Sequence, residues 1–107
     1  MDNKSLNVLK GLTLDIIQNA KGGHPGSCLS GAPILYTLFT KHLKVNPSMP
    51  EWVNRDRFVM SAGHASALLY AMMFLSGYKF NIEDLKNYRK LNSNTPGHMK
   101  LRLLQVI

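Results

Sequence analysis

Phe58-Val59-Met60-Ser61-Ala62-Gly63-His64, followed by residues 65–75, is the stretch on which the fold turns. Phe58 to Ser61 is short, apolar and bounded by polar sequence, which predicts a buried strand. Gly63-His64 predicts a turn, and residues 65–75 predict a helix that Gly77 ends. Strand, turn, helix is the layout of α/β ligand sites, where ligands bind beyond the carboxyl ends of strands. The N-terminus of such a helix presents unpaired N–H groups and a positive dipole end to an anion.

Upstream, residues 5–20 predict a helix. Leu6, Leu9, Leu12 or Thr13, Ile16 and Ala20 follow its i, i+3, i+4 spacing. Leu14 and Ile17 widen that stripe, which points to burial on more than one side. Gly22-Gly23 stops the helix and Pro25-Gly26 makes a second turn. Residues 28–43 predict another helix. Pro33 fits it only within a first turn, so Ser30 or Ser27 is the expected cap. Lys41, His42 and Lys44 suit its C-terminal end. Asn46-Pro47-Ser48-Met49-Pro50 reads as a loop, and Asn54-Arg55-Asp56-Arg57 as a charged turn. Downstream, Asn81 caps a further helix with Asp84 in its first turn, and residues 91–98 form a turn-rich loop. Only one strand stands out, and one strand cannot make a sheet. The expected fold is therefore α/β and helix-rich, with an incomplete parallel sheet. Its missing strands would belong to another chain or to a larger domain.

Three histidines directly follow a glycine inside turn-like sequence: His24, His64 and His98. Histidine's ordinary pKa lies near physiological pH, and glycine lets a ligand approach the backbone closely. Three such units separated by apolar helices point to one wet cleft supplied by several loops. His64 either donates a hydrogen bond to an anion at the helix start or simply fills the turn. His24 and His98 either exchange a proton with a substrate hydroxyl or carbonyl, or are solvent-exposed loop residues. His42, at a helix end, is explained by the dipole. Zinc ligation by the three is disfavoured: no pair has i, i+4 spacing, and no carboxylate neighbours them to orient a ring. Cys28, Met60, Met72 and Met73 read as buried filling.

The 107 residues carry 13 Lys and Arg against 6 Asp and Glu, a net charge of +7. That balance suits either a solvated face or an anionic partner such as a sugar phosphate or a diphosphate. No nucleic-acid-binding pattern accompanies it. The longest apolar run, residues 67–75, falls far short of the ~20 residues of a membrane span. One cysteine and no secretory h-region favour the cytoplasm.

A longer pattern joins these pieces. Ala20-Lys21-Gly22-Gly23-His24-Pro25-Gly26 resembles the A-x-S-G-H-P-G segment of transketolases, with glycine replacing part of the serine-glycine pair. Pro50-Glu51-Trp52-Val53-Asn54-Arg55-Asp56-Arg57-Phe58-Val59-Met60-Ser61-Ala62-Gly63-His64 is similar to their P-x-W-x-N-R-D-R-F-V-L-S-x-G-H stretch. Ala32-Pro33-Ile34-Leu35-Tyr36, Leu85-Lys86-Asn87-Tyr88-Arg89 and Thr95-Pro96-Gly97-His98 continue the resemblance, which covers residues 5–98. It implies the amino-terminal, pyrophosphate-binding part of a thiamine-diphosphate fold. It also implies transfer of a two-carbon ketol unit between sugar phosphates, in the pentose phosphate pathway, with thiamine diphosphate and magnesium. His24 would be catalytic and contact the substrate near its reacting carbons. His98 would lie beside substrate and cofactor, also catalytic. His64 would contact the cofactor towards its diphosphate.

The departures count as well. Met99 to Ile107 diverge from the family, and its G-D-G metal motif and activating glutamate have no counterpart here. No metal ligand is therefore assigned. Residues 99–107 read as a divergent tail, such as a frameshift or early stop would leave. The expected piece is inactive alone and belongs to a homodimer or to a complementary subunit. The alternative is a non-catalytic fragment that docks on a full-length partner through apolar faces.

Overall fold

The fold is known from a computed structural model, in which the structure describes residues 3–97. Helix α1 spans Asn3–Ala20 and α2 spans Pro25–Thr37. A π turn, Leu38–His42, continues α2. A 3-10 turn, Gly63–Ala65, leads into α3, Ser66–Ser76, and α4 is the short Ile82–Lys86.

Helix α3 is the centre of the molecule. Every residue from Ser66 to Met73 is buried, because α3 is apolar on all sides and α1 and α2 both pack against it. The amphipathic α1 turns Leu6, Leu9, Thr13 and Ile16 inward. Thr13 satisfies its buried hydroxyl locally, donating to the Leu9 carbonyl at 2.7 Å. The expected widening of this stripe holds for Ile17, which packs on the core, and fails for Leu14, which is exposed. Cys28, Met72 and Met73 are buried, and Met60 packs against the core. Leu85 and Tyr88 close it from the α4 side.

Two expectations are corrected. Helix α2 starts at Pro25, not at Ser27 or Ser30, and His24 is its N-cap residue. Pro25 occupies the first turn, where a missing N–H costs nothing, while Pro33 lies inside the helix. With no N–H, Pro33 cannot donate to the Leu29 carbonyl, and packing against α1 and α3 carries the helix past that loss. The strand expected over Phe58–Ser61 does not form among the described residues. Phe58 and Met60 pack against the core while Val59 is 65 % exposed. The segment thus has the alternation of a strand, but no neighbouring strand offers the ladder that would make it one.

The long connection between the π turn and the 3-10 turn folds on its own polar groups. Asp56 and Lys44 exchange two bonds, Asp56 N–H to the Lys44 carbonyl and Lys44 N–H to Asp56 Oδ2, both 2.8 Å. Asn46 Oδ1 accepts from the Ser48 N–H at 3.1 Å. Arg57 Nη1 donates to the Val53 carbonyl at 2.8 Å. These bonds satisfy a connection without regular structure and deliver the chain to Gly63-His64.

Candidate functional site

His24 and His64 stand next to one another. Their rings are 5.3 Å apart between centroids and cross at 73°, edge to face. Both side chains are exposed. Each sits at the start of a helix, His24 as N-cap of α2 and His64 in the 3-10 turn that opens α3. Close packing of the two helices brings these starts together: a Cβ on Gly31 of α2 would lie 3.3 Å from Leu68 Cδ2 of α3. Neither helix carries an acidic residue in its first turn, so no carboxylate competes for the positive dipole ends.

The loop before His24 is tightly shaped. Gly22 N–H donates to the Ile17 carbonyl at 3.3 Å as α1 ends. Gly23 then takes φ = 146°, which requires glycine, and a Cβ there would meet Ile17 Cγ1 at 3.0 Å. His24 itself folds back onto α2, its carbonyl accepting from Cys28 N–H and from Ser27 Oγ, both at 3.4 Å.

His98 lies outside the described residues, which end at Gly97 beside the same helix start. Three buried hydroxyl side chains hold that turn. Ser66 Oγ donates to the Gly97 carbonyl at 2.5 Å, and Tyr88 OH lies 2.9 Å from Ser66 Oγ. With the serine proton committed to Gly97, Tyr88 is the donor to Ser66. Tyr70 OH donates to the Pro96 carbonyl at 2.7 Å. Burial, reinforced by Tyr88, pushes the Tyr70 phenol far above its ordinary value, so it stays a donor throughout the physiological range. Sequence reading missed Ser66, Tyr70 and Tyr88 as site-shaping residues. The available signal was a tyrosine inside an apolar helix, because a buried phenol needs a partner.

Burial pushes the Cys28 thiol up, against a smaller opposing effect of its hydrogen bond to the Leu68 backbone; it is 1 % exposed. His42 is exposed in the last turn of the π segment, the helix-end position that the sequence reading gave it. Among the described residues no three His, Cys, Asp or Glu side chains gather to hold a metal ion. No described helix is long and apolar enough to cross a membrane.

Comparison with known proteins adds the following. Residues 1–107 match the domain described as transketolase, thiamine diphosphate binding domain. The transketolase of Bacillus subtilis is 52 % identical over 98 residues, 92 % of this chain and 15 % of that protein. The crystal structure of transketolase from Campylobacter jejuni superposes with a TM-score of 0.85 at 52 % identity, covering 94 % of this chain and 16 % of that one. Transketolase from Pichia stipitis in complex with sedoheptulose-7-phosphate superposes with a TM-score of 0.86 at 47 % identity, covering 91 % and 14 %. The chain thus spans about 15 % of the length of the curated relatives it matches.

Proposed function

Because the chain belongs to the transketolase thiamine diphosphate binding domain family, we propose that it forms one wall of a site that moves a two-carbon ketol unit between sugar phosphates. The observation that carries this reading is the His24–His64 pair, two exposed imidazoles at two converging helix starts. The Pichia stipitis relative bound to sedoheptulose-7-phosphate supports the substrate class.

The donor set suits thiamine diphosphate. A diphosphate needs hydrogen-bond donors and positive potential. The start of α3 offers its positive dipole end with no acidic residue in the first turn, and the exposed His64 imidazole offers a donor, while the Gly63 and Ala65 N–H groups are already bonded to the Ser61 and Ala62 carbonyls. The described residues do not suit magnesium, since no acidic or imidazole cluster gathers among them; its ligands would come from other parts of a complete enzyme. Thiamine diphosphate, when bound, supplies the carbanion chemistry that carries the two-carbon unit. His64 is read as the group that orients the diphosphate. His24 is read as the group that hydrogen-bonds the sugar near its reacting carbons and moves a proton to or from its oxygen. His98 is read as a third substrate-facing group of the same cleft. The remaining walls, including the group that activates the cofactor, would come from elsewhere in a homodimer or from a complementary subunit.

The test titrates the 107-residue chain with thiamine diphosphate and follows the imidazole resonances, alongside a coupled ketol-transfer assay with magnesium. The expected result is a saturable shift of His64, with thiamine diphosphate binding weakened in His64→Gln as read from the neighbouring His24 resonance, and with turnover at background. Unmoved His64 resonances would remove its cofactor role, and robust turnover by the chain alone would overturn the one-wall reading.

A further inference from the structure

Lys21, Arg89 and Asn92 are the described non-glycine residues with left-handed backbone. Lys21 marks the end of α1, and asparagine is at ease in this region. Arg89 is different. Its side chain reaches two separate loops, while its φ of 66° carries the same Cβ cost as at Lys21. The surrounding bonds enforce it. Arg89 N–H donates to the Thr95 carbonyl at 2.9 Å, and Thr95 Oγ1 donates to the Asp84 carbonyl at 2.6 Å.

The conformation sends the side chain across two glycines. A Cβ on Gly97 would meet Arg89 Cγ at 3.3 Å and Nε at 3.5 Å. A Cβ on Gly22 would meet Arg89 Nη1 at 2.8 Å and Cζ at 3.5 Å. The stem therefore lies on the turn held by Ser66, while the guanidinium lies on the loop that leads to His24. Gly22 stands where the A-x-S-G-H-P-G pattern has serine. A serine there would put its Cβ into the space Nη1 occupies.

We propose that Arg89 is a positioning residue for the histidine cleft: its side chain couples the Gly22 loop to the Gly97 turn and thereby sets His24 against His64. The cleft's importance rests on the function proposed above, but the coupling is a property of the free chain and is tested without ligand. In the wild-type chain, NMR should show a cross-relaxation peak between the His24 and His64 ring protons, as their 5.3 Å centroid separation requires. Arg89→Gly relieves the left-handed backbone and deletes the coupling side chain. The expected result is a melting temperature unchanged or raised, with the His24–His64 peak reduced at least twofold. Arg89→Lys keeps a stem over Gly97 without the planar end over Gly22 and should fall between the two. Gly22→Ser displaces the guanidinium from the other side and should weaken the peak with the fold intact. A wild-type chain without the peak, or a peak of full intensity in both Arg89→Gly and Gly22→Ser, would overturn the proposal. So would a peak that falls only in step with unfolding. Absence of thiamine diphosphate binding would count against the proposed function and leave this result standing.

Discussion

At Gly23 the backbone reaches φ = 146°, and Ile17 occupies the space a side chain would need. Gly26, three residues on, meets nothing within 4 Å and lies within α2. The two therefore separate strain from mere turn composition. Gly23→Ala should destabilise the chain by about 2 kcal/mol, the order of forcing a side chain into a disfavoured backbone region. Gly26→Ala should be neutral or slightly stabilising. Urea midpoints of the two variants check this; equal midpoints would mean that the loop before His24 relaxes freely. The Gly22-Gly23 pair announced a turn to a reader of the sequence. It did not announce which glycine bears the strain and which makes room for Arg89, because both depend on side chains from α1 and from residue 89.

Among the elements, α4 has five residues, and a helix that short depends on its ends. Asn81 Oδ1 accepts from the Asp84 N–H at 2.8 Å and Asp84 Oδ2 accepts from the Asn81 N–H at 3.0 Å, a reciprocal cap. The other Asp84 oxygen accepts from Asn94 Nδ2 at 3.1 Å, so the cap also ties down the loop that leads to Gly97. Asn81→Ala should cost about 1 kcal/mol. It should also raise amide exchange across residues 82–95 above that of α1. Hydrogen exchange reads this directly, and unchanged protection would show that Leu85 packing alone holds α4. This cap was legible, since Asn and Asp at that spacing satisfy N–H groups whatever the rest of the fold does. The start of α2 was not, because the cost of the interior Pro33 argued for a later start and only tertiary packing outweighs it. For Phe58–Ser61 an apolar run was legible and read as a buried strand, but Val59 is exposed and a ladder needs a second strand, and none exists among the described residues.

Across the whole molecule, α3 gathers the helices and the two site loops, and its burial shapes the response to pH. Burial raises the Tyr70 phenol; burial also raises Tyr78, partly offset by Arg55, and the Cys28 thiol, partly offset by the Leu68 backbone. Each is an acid held neutral in the fold and freer to ionise once unfolded. Their contribution is thus complete below the ordinary cysteine value of about 8.5 and is lost as pH rises through the tyrosine range near 10 and beyond. The urea midpoint should be flat between pH 7 and 8 and fall steadily above pH 9. Tyr70→Phe should flatten the alkaline limb while lowering the midpoint at neutral pH through loss of the Pro96 bond. A midpoint that rises with alkalinity would contradict this account of the core. The histidine pair was legible as residue types through a family pattern, yet its scaffold was not. Ser66 and Gly97 are 31 positions apart, Tyr70 and Pro96 are 26, and no local rule links them. That scaffold is made of neutral hydroxyls bonded to backbone carbonyls, in a chain of net charge +7. Added salt screens charges over about 8 Å at physiological strength but barely acts on buried neutral dipoles. Ions that quieten the repulsion across this surface will therefore leave the turn before His98 in place. Ionic strength should change the long-range attraction of this +7 chain for anions without altering the hydroxyl scaffold at the start of α3.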